Sequence, residues 1–516
     1  MKARRAQHYG LASAAVCALL ALPGHAFGQT AQGATSPLTG GLRGSSPVGD
    51  PVLVNTTRGL PTSNLTGGNL AGSDPNTTGS TAANPPNGQT IAPPRAAPAV
   101  PISSANPIGP VGPPDSSLAA TGAETVSAPA GPSFSPEPLT DPYAPQPLRI
   151  GSFNVNGEAS LTYGRSSNLS NSAGGTQGRF GRFGFEGGAV SDWSRHQLRL
   201  SSAAEVDLNR GAGRNRDTDL DLAADLRLDV GGASSIGISA TYGLFTEDAS
   251  SPDALITGND NPFLSEYALG VTYERNAGLV GLQLRGGLTA ARYGDIKIAG
   301  QPAVSQNQRD RNGATLGGRL SYNGGGRITP FVDAEYELGR RVTPLDANGF
   351  DRRFNGMRAA IGAQVEVTGK LAGSLEVGYG RRDFADVRLP DIGGLVVNGN
   401  LDWQANDQLR VGLNLNTDFS GQSTAGVSGS IARGAGASID WQATEALALG
   451  LTAGVSRTDY SNGQRDNQYT VSGTADYWLT PHAGLTGQVT RTRLNTNRVG
   501  AAYSATEVEL GLKVRH

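Results

Sequence analysis

Acidic side chains spaced two apart are the first residues here that could do chemistry. Asp219, Asp221, Asp225 and Asp229 alternate with Leu220, Leu222, Ala224, Leu226, Leu228 and Val230, and Arg227 joins the acidic face. A second run places Asp333, Glu335 and Glu337 at the same interval. Paired carboxylates serve general acid–base work only beside a fixed substrate, and ion passage when they ring a water-filled path. The remaining catalytic vocabulary is sparse. His8 and His25 lie near the N-terminus, and His196, His482 and His516 fall at expected turns or at the chain end, far from one another along the expected rim. A nucleophilic triad needs a histidine on a strand face beside a serine, and the pattern offers none. The one cysteine, Cys17, precedes residue 29, so the expected mature chain has no thiolate for metal or disulfide. The Gly258–Asn261 piece has calcium-like oxygen ligands without the spaced twelve-residue loop, and reads as a solvated turn. No cofactor and no metal site is expected. A formal charge of -2 gives no basic surface for nucleic acid.

The elements that carry these carboxylates are strands. Side chains of period two lie on one face, and runs of ten to sixteen residues exceed the usual strand. Asp and Arg are poor strand formers, yet they recur on a single face, which a watery lumen explains and a dry sandwich core does not. Parity puts Asp221, Asp225, Asp229, Arg227, Asp333, Glu335, Glu337, Arg358 and Arg410 on that lumen face, with acids in excess of bases. A mild cation preference follows as an expectation. The rival reading is that these charges pair across strands and fill the interior.

Connections alternate between short and long. Short turns fall near 192–194, 231–232, 276–277, 323–326, 368–370, 406–407, 443–445 and 480–482. Longer polar segments lie at 166–178, 211–215, 246–264, 295–310, 340–352, 383–392, 420–422, 460–468 and 495–498. Eight short and nine long connections predict about eighteen antiparallel strands (16–20) with both barrel ends on the side of the short, periplasmic turns. Gly434–Gly436 would change that number if it were a turn, but 425–441 keeps one parity and reads as one strand. Trp193, Tyr322, Trp403, Trp441 and Trp478 flank the short turns, where an interfacial aromatic girdle is expected.

The chain divides into three. Residues 1–28 read as a signal peptide: Lys2, Arg4 and Arg5, an apolar run over 11–22, then small residues at Ala26 and Gly28. Residues 29–147 are rich in Pro, Ala, Gly, Ser and Thr without apolar period, so a disordered arm is expected. A flexible periplasmic tether and a docking arm for a periplasmic partner are its two readings. Residues 148–516 are the all-β part, a transmembrane up-and-down barrel in the outer membrane of a Gram-negative bacterium. The last strand alternates Val508, Leu510, Leu512 and Val514 with polar residues and ends at His516, the form of a terminal signal for the barrel-assembly machinery, although an aromatic usually stands last. Outer-membrane lipids and lipopolysaccharide are the remaining expected partners; the oligomeric state is unknown.

The barrel region resembles the alphaproteobacterial outer-membrane proteins grouped as putative β-barrel porin 2. The opening strand Phe153–Gly164 with its Asn-rich loop at Asn168, the segment Tyr477–Leu485 and the terminal strand carry the resemblance, over roughly 148–516. It implies an outer-membrane barrel with no shared catalytic residues. Members are regarded as porins, and some accompany exopolysaccharide export. Three functions therefore stand: a passive channel for small hydrophilic solutes, an export port or accessory barrel for surface exopolysaccharide, and a non-conducting envelope protein.

Overall fold

The computed structural model describes residues 141, 143–169, 171, 173–211, 216–246, 262–296, 303–422, 426–498 and 501–516. The expected signal peptide, nearly all of the arm and the Gly258–Asn261 segment lie outside these.

The first strands are β1 (Leu148–Ile150), β2 (Phe153–Ser166), β3 (Gly178–Ser191), β4 (His196–Arg210), β5 (Arg216–Asp229) and β6 (Ser234–Thr246). There follow β7 (Phe263–Ala277), β8 (Val280–Tyr293), β9 (Arg311–Tyr322), β10 (Ile328–Arg341), β11 (Phe354–Thr368), β12 (Leu371–Phe384) and β13 (Ile392–Asn406). The chain closes with β14 (Leu409–Gly421), β15 (Gly429–Gln442), β16 (Leu447–Tyr460), β17 (Arg465–Thr480), β18 (Ala483–Thr496) and β19 (Tyr503–Arg515). A 3-10 turn at Asn307–Arg309 is the one helical element among the described residues.

Each strand pairs antiparallel with the next, and β19 pairs back onto β2, from Glu507↔Ser166 to Arg515↔Glu158. Nineteen strands form one sheet. Setting β1 aside, eighteen close the barrel, as the turn alternation predicts. Closure leaves no open edge, the condition for a sheet to cross hydrocarbon. The segment around Gly434–Gly436 is continuous strand within β15.

The extra strand has a local cause. β19 runs out at His516, whose N–H and C=O both pair with Gly157 (2.9 and 3.0 Å). The start of β2 would then have a bare edge. The chain turns back at Gly151, at φ 61° where a residue with Cβ would be strained, and β1 covers that edge from Leu148↔Val155 to Ile150↔Phe153.

The wall has two chemistries by parity. Outward are exposed Leu161, Tyr163, Phe183, Leu208, Leu284, Leu316, Ile361, Tyr379, Leu413, Leu451, Val489 and Leu510, an apolar band facing lipid. Inward are the polar and charged side chains between them. Trp193, Tyr322, Trp403 and Trp441 are exposed near the short turns, as a girdle requires. Trp478 departs from that expectation: it is buried, on the inward parity, under the Arg515 guanidinium 3.4 Å from its ring. Tyr477 takes the outward place, because Asp476 and Trp478 share the inward parity.

Candidate functional site: the lumen wall

The inward face carries every polar group that could meet a solute. All nine candidate residues lie on it. Asp221, Asp225, Arg227 and Asp229 stand along β5, with Asp225 opposite Arg199 and the Arg227 Nε 3.2 Å from Asp229. Arg410 on β14 meets Asp402 on β13 at 2.9 Å.

Asp333, Glu335, Glu337 and Arg358 are drawn into one network over β8–β12. Asp333 receives Arg285 (2.9 Å), Arg319 (3.0 Å) and Arg358 (3.2 Å). Glu376 takes Arg319 (3.1 Å) and Arg358 (2.5 Å), and Glu335 lies 3.9 Å from both Arg285 and Arg358. Next to it Arg382 holds Glu337 with two parallel bonds, 2.9 and 2.8 Å. Register makes this possible: Asp333 faces Arg319 across β9–β10, and Glu335 faces Arg358 across β10–β11. Arg319 also lies over the Phe331 ring and Arg382 over that of Phe354, at 4.0 and 4.5 Å.

A second cluster lies at the barrel closure; parity alone puts its acids Glu158, Glu205, Asp207 and Asp476 on the lumen face, but sequence reasoning missed Arg182, Glu509 and Lys513 and the pairing. Arg182 on β3 bonds Asp207 (2.8 and 3.0 Å) and Glu509 (3.0 Å), and lies 3.2 Å from Glu205. Thr162 donates to Glu509 at 2.6 Å. Below it Lys513 joins Glu158 (2.9 Å) and Asp476 (3.0 Å). Glu509 is more than 300 residues from its partners, so no local pattern signals the pairing.

Between these clusters the wall is mostly neutral, with Arg410, Asp440, Asp466 and Asp476 as its charged members. Over β14–β18 the inward side chains include Asn414, Ser438, Thr452, Ser456, Thr458, Gln468, Thr470, Ser472, Gln488 and Thr490. Ser472 and Thr490 share a hydrogen bond of 2.9 Å.

An infolded hairpin narrows the path at the long-loop end. β14 pairs with β13 from Asn406↔Leu409 to Gly399↔Leu415 and then leaves it. A side chain replaces the ladder: the Thr417 hydroxyl accepts from the Val397 N–H (3.0 Å) and donates to its C=O (3.1 Å), and the Thr417 N–H donates to Asn398 Oδ1 (2.8 Å). Phe419 and Ile431 then pack with Ile392 and Val396 in a buried cluster, with Phe384 against it. Ile392 and Val396 are inward residues, so the outer half of the β14–β15 hairpin bends into the lumen over β12 and β13. Gly380 permits the approach, since a Cβ there would lie 3.0 Å from the Phe419 ring. A small cavity lies beneath, lined by Glu335, Glu337, Arg358, Arg382, Asp418 and Phe419. The sequence carried a signal for this: the inward parity of β13 reads Ile392, Gly394, Val396 before turning polar at Asn398.

In the loops above, Asp386 is held well below the usual carboxylate range by its bonds to Arg388 (2.9 and 2.6 Å). Asp351 is lowered by its side-chain bonds to Arg353. Arg352 joins Asp346 and the carbonyl of Val427 (2.7 Å), which fastens the loop after β10 to the infolded hairpin.

The terminal strand shows Val508, Leu510, Leu512 and Val514 exposed on the lipid-facing side. The His482 and His516 rings lie 5.5 Å apart, closer than rim positions far apart in sequence suggest, because β18 begins where β19 ends. Among the described residues no cluster of His, Cys, Asp and Glu has the form of a metal site.

Residues 141–516 match the family described as Putative beta-barrel porin 2. The chain belongs to that family. No curated protein matches it. Among solved structures it is similar to the Copper transporter OprC at 10% identity, over 72% of this chain and 82% of that one, with a TM-score of 0.40. It is similar to OccAB3 of Acinetobacter baumannii (10%, 71% and 100%, TM-score 0.37) and to the outer membrane protein opdK of Pseudomonas aeruginosa (10%, 70% and 99%, TM-score 0.38). The family match reaches back to Asp141, whose carboxylate bonds Arg515 at 2.7 Å on the inward side of the closing strand. The protein is an outer-membrane β-barrel with a porin-like fold.

Proposed function

We propose that this porin-family barrel is a passive channel for small hydrophilic solutes with a mild preference for cations. The observation that carries the reading is the inward face of β5, where Asp217, Asp219, Asp221, Asp225 and Asp229 stand against Arg227 as the one base of that face. An excess of fixed negative charge along a water-filled wall raises local cation concentration. Eighteen strands leave room for an aqueous path, which the β14–β15 hairpin narrows. The arm, on this reading, enters from the periplasmic side, and the alternating stripe of β19 serves the barrel-assembly machinery. Recording in a planar bilayer under a KCl gradient tests the function: a reversal potential of cation-selective sign is expected. Anion selectivity, or a closed channel at every voltage, would sink it.

A second reading, export of a surface polysaccharide, is favoured by the hydroxyl- and amide-rich stretch of wall over β15–β18. Hydroxyls and amides there suit an uncharged polyhydroxylated chain. Deleting residues 29–140 separates the two. A passive channel keeps its conductance without the arm, whereas a machine-coupled exporter loses secretion.

A further inference from the structure

The outward face of the barrel carries arginines in two different states. On one side each has a carboxylate: Arg381 meets Asp391 at 2.9 Å, and Arg457 and Arg465 share Asp459 at 3.1 and 2.9 Å. On the other side stand Arg165, Arg179, Arg210, Arg216, Arg491 and Arg493, all exposed. Their bonds among the described residues go to neutral groups: Arg165 to Gln177, Arg216 to Thr218, Arg491 to Thr506 and Ser504, Arg493 to Asn495.

Register sharpens the contrast. Arg165 on β2 is the direct partner of Arg179 on β3, and Arg179 is the direct partner of Arg210 on β4. Like charges directly opposite each other destabilise a sheet. Three in a row on neighbouring strands, about 4.8 Å apart, form an arrangement that an external anion relieves. The row lies at the long-loop ends of these strands. One step toward the membrane on the same face are exposed Tyr163, Leu208 and Val489, with Phe183 two steps down from Arg179. Acyl chains suit the lower tier and phosphates the upper. Arginine matches phosphate geometry with two parallel bonds, and basic clusters beside a bilayer gather anionic headgroups.

We infer that the outward arginine belt running from β18 across the closing seam to β5 is a binding site for the phosphorylated headgroup of lipopolysaccharide in the outer leaflet. The site sits on the seam where β19 closes against β2, so a bound lipid clamps the first and last barrel strands together.

The test uses the full chain purified in detergent, titrated with bisphosphorylated lipid A and with the same lipid after phosphatase treatment, followed by native mass spectrometry. Wild type should retain the phosphorylated lipid and lose most of that retention in high salt. The dephosphorylated lipid should bind on the order of tenfold to a hundredfold more weakly, the effect of losing several charge-assisted contacts. The triple variant R165Q/R179Q/R210Q should bind both lipids alike, at the weaker level. Charge removal at Arg457 and Arg465, which already have a carboxylate, should leave binding unchanged. Equal retention of the two lipids by wild type overturns the inference, and that arm needs no variant to fold. Phosphate-dependent binding undiminished in the triple variant overturns it as well.

Discussion

Two stretches of the lumen wall share a backbone geometry and differ in chemistry. Over β8–β12 many inward side chains are long and charged, and they find opposite charge on the next strand or one beyond it: Arg285, Arg319 and Arg358 converge on Asp333. Over β14–β18 they are mostly short and neutral, with Arg410, Asp440, Asp466 and Asp476 as charged exceptions, and hydroxyls pair directly, as Ser472 does with Thr490. The first wall fixes its own groups, because a buried charge is tolerable only when paired. The second leaves hydroxyls and amides at low cost. On the proposed channel reading, a solute would meet a neutralised electrostatic lattice on one side and a largely hydrogen-bonding surface on the other.

The junction of the two walls is the place to break this division most forcefully. Phe419→Ala removes the ring that seats the infolded hairpin on Ile392 and Val396, and should cost about 3 kcal/mol of packing. Single-channel conductance should rise as the hairpin swings out; unchanged conductance would show that the hairpin does not constrict the path. Asp333→Asn removes the carboxylate shared by three guanidiniums, and should cost about 2 kcal/mol, less than breaking an isolated buried ion pair because Arg319 and Arg358 keep Glu376. Ser472→Ala on the neutral wall should cost under about 1 kcal/mol. Urea unfolding from lipid vesicles compares the two, and equal losses would erase the distinction.

Arg358→Gln sharpens the comparison in function. It leaves Glu335 and Glu376 less compensated, so the cation-to-anion permeability ratio should increase roughly twofold. A reversal-potential shift toward anions would contradict the wall's proposed role. The smallest effect belongs to the loops above the charged wall. Asp351 and Asp386 have depressed values in the folded protein, so their stabilisation is fully present above about pH 4, the unfolded carboxylate range, and is lost as pH falls through the lower folded values. Hydrogen exchange of residues 385–391, corrected for intrinsic rate, should therefore match at pH 7 and pH 5 and quicken near pH 3.

Much of the barrel was legible because period two is a local property. Asp221, Asp225 and Asp229 could be assigned a face from their neighbours alone, and the turn alternation counted the strands. Three features escaped that logic. Trp478 lies one residue off the girdle parity, and the cover that buries it, Arg515, comes from β19, two strands away. The Arg182–Asp207–Glu509 cluster joins β3, β4 and β19, and Glu509 meets Arg182 only once the barrel closes. The β14–β15 hairpin leaves the wall where Thr417 replaces the ladder, a choice made by apolar contact with Ile392 and Val396.

By itself, then, the sequence determined which side chains face lipid and which face the lumen, since alternation along one strand settles both. Which lumen charges neutralise one another, and where the path narrows, was decided by tertiary structure. Those depend on register between strands far apart in the chain, and on a hairpin that exchanges backbone pairing for buried apolar surface.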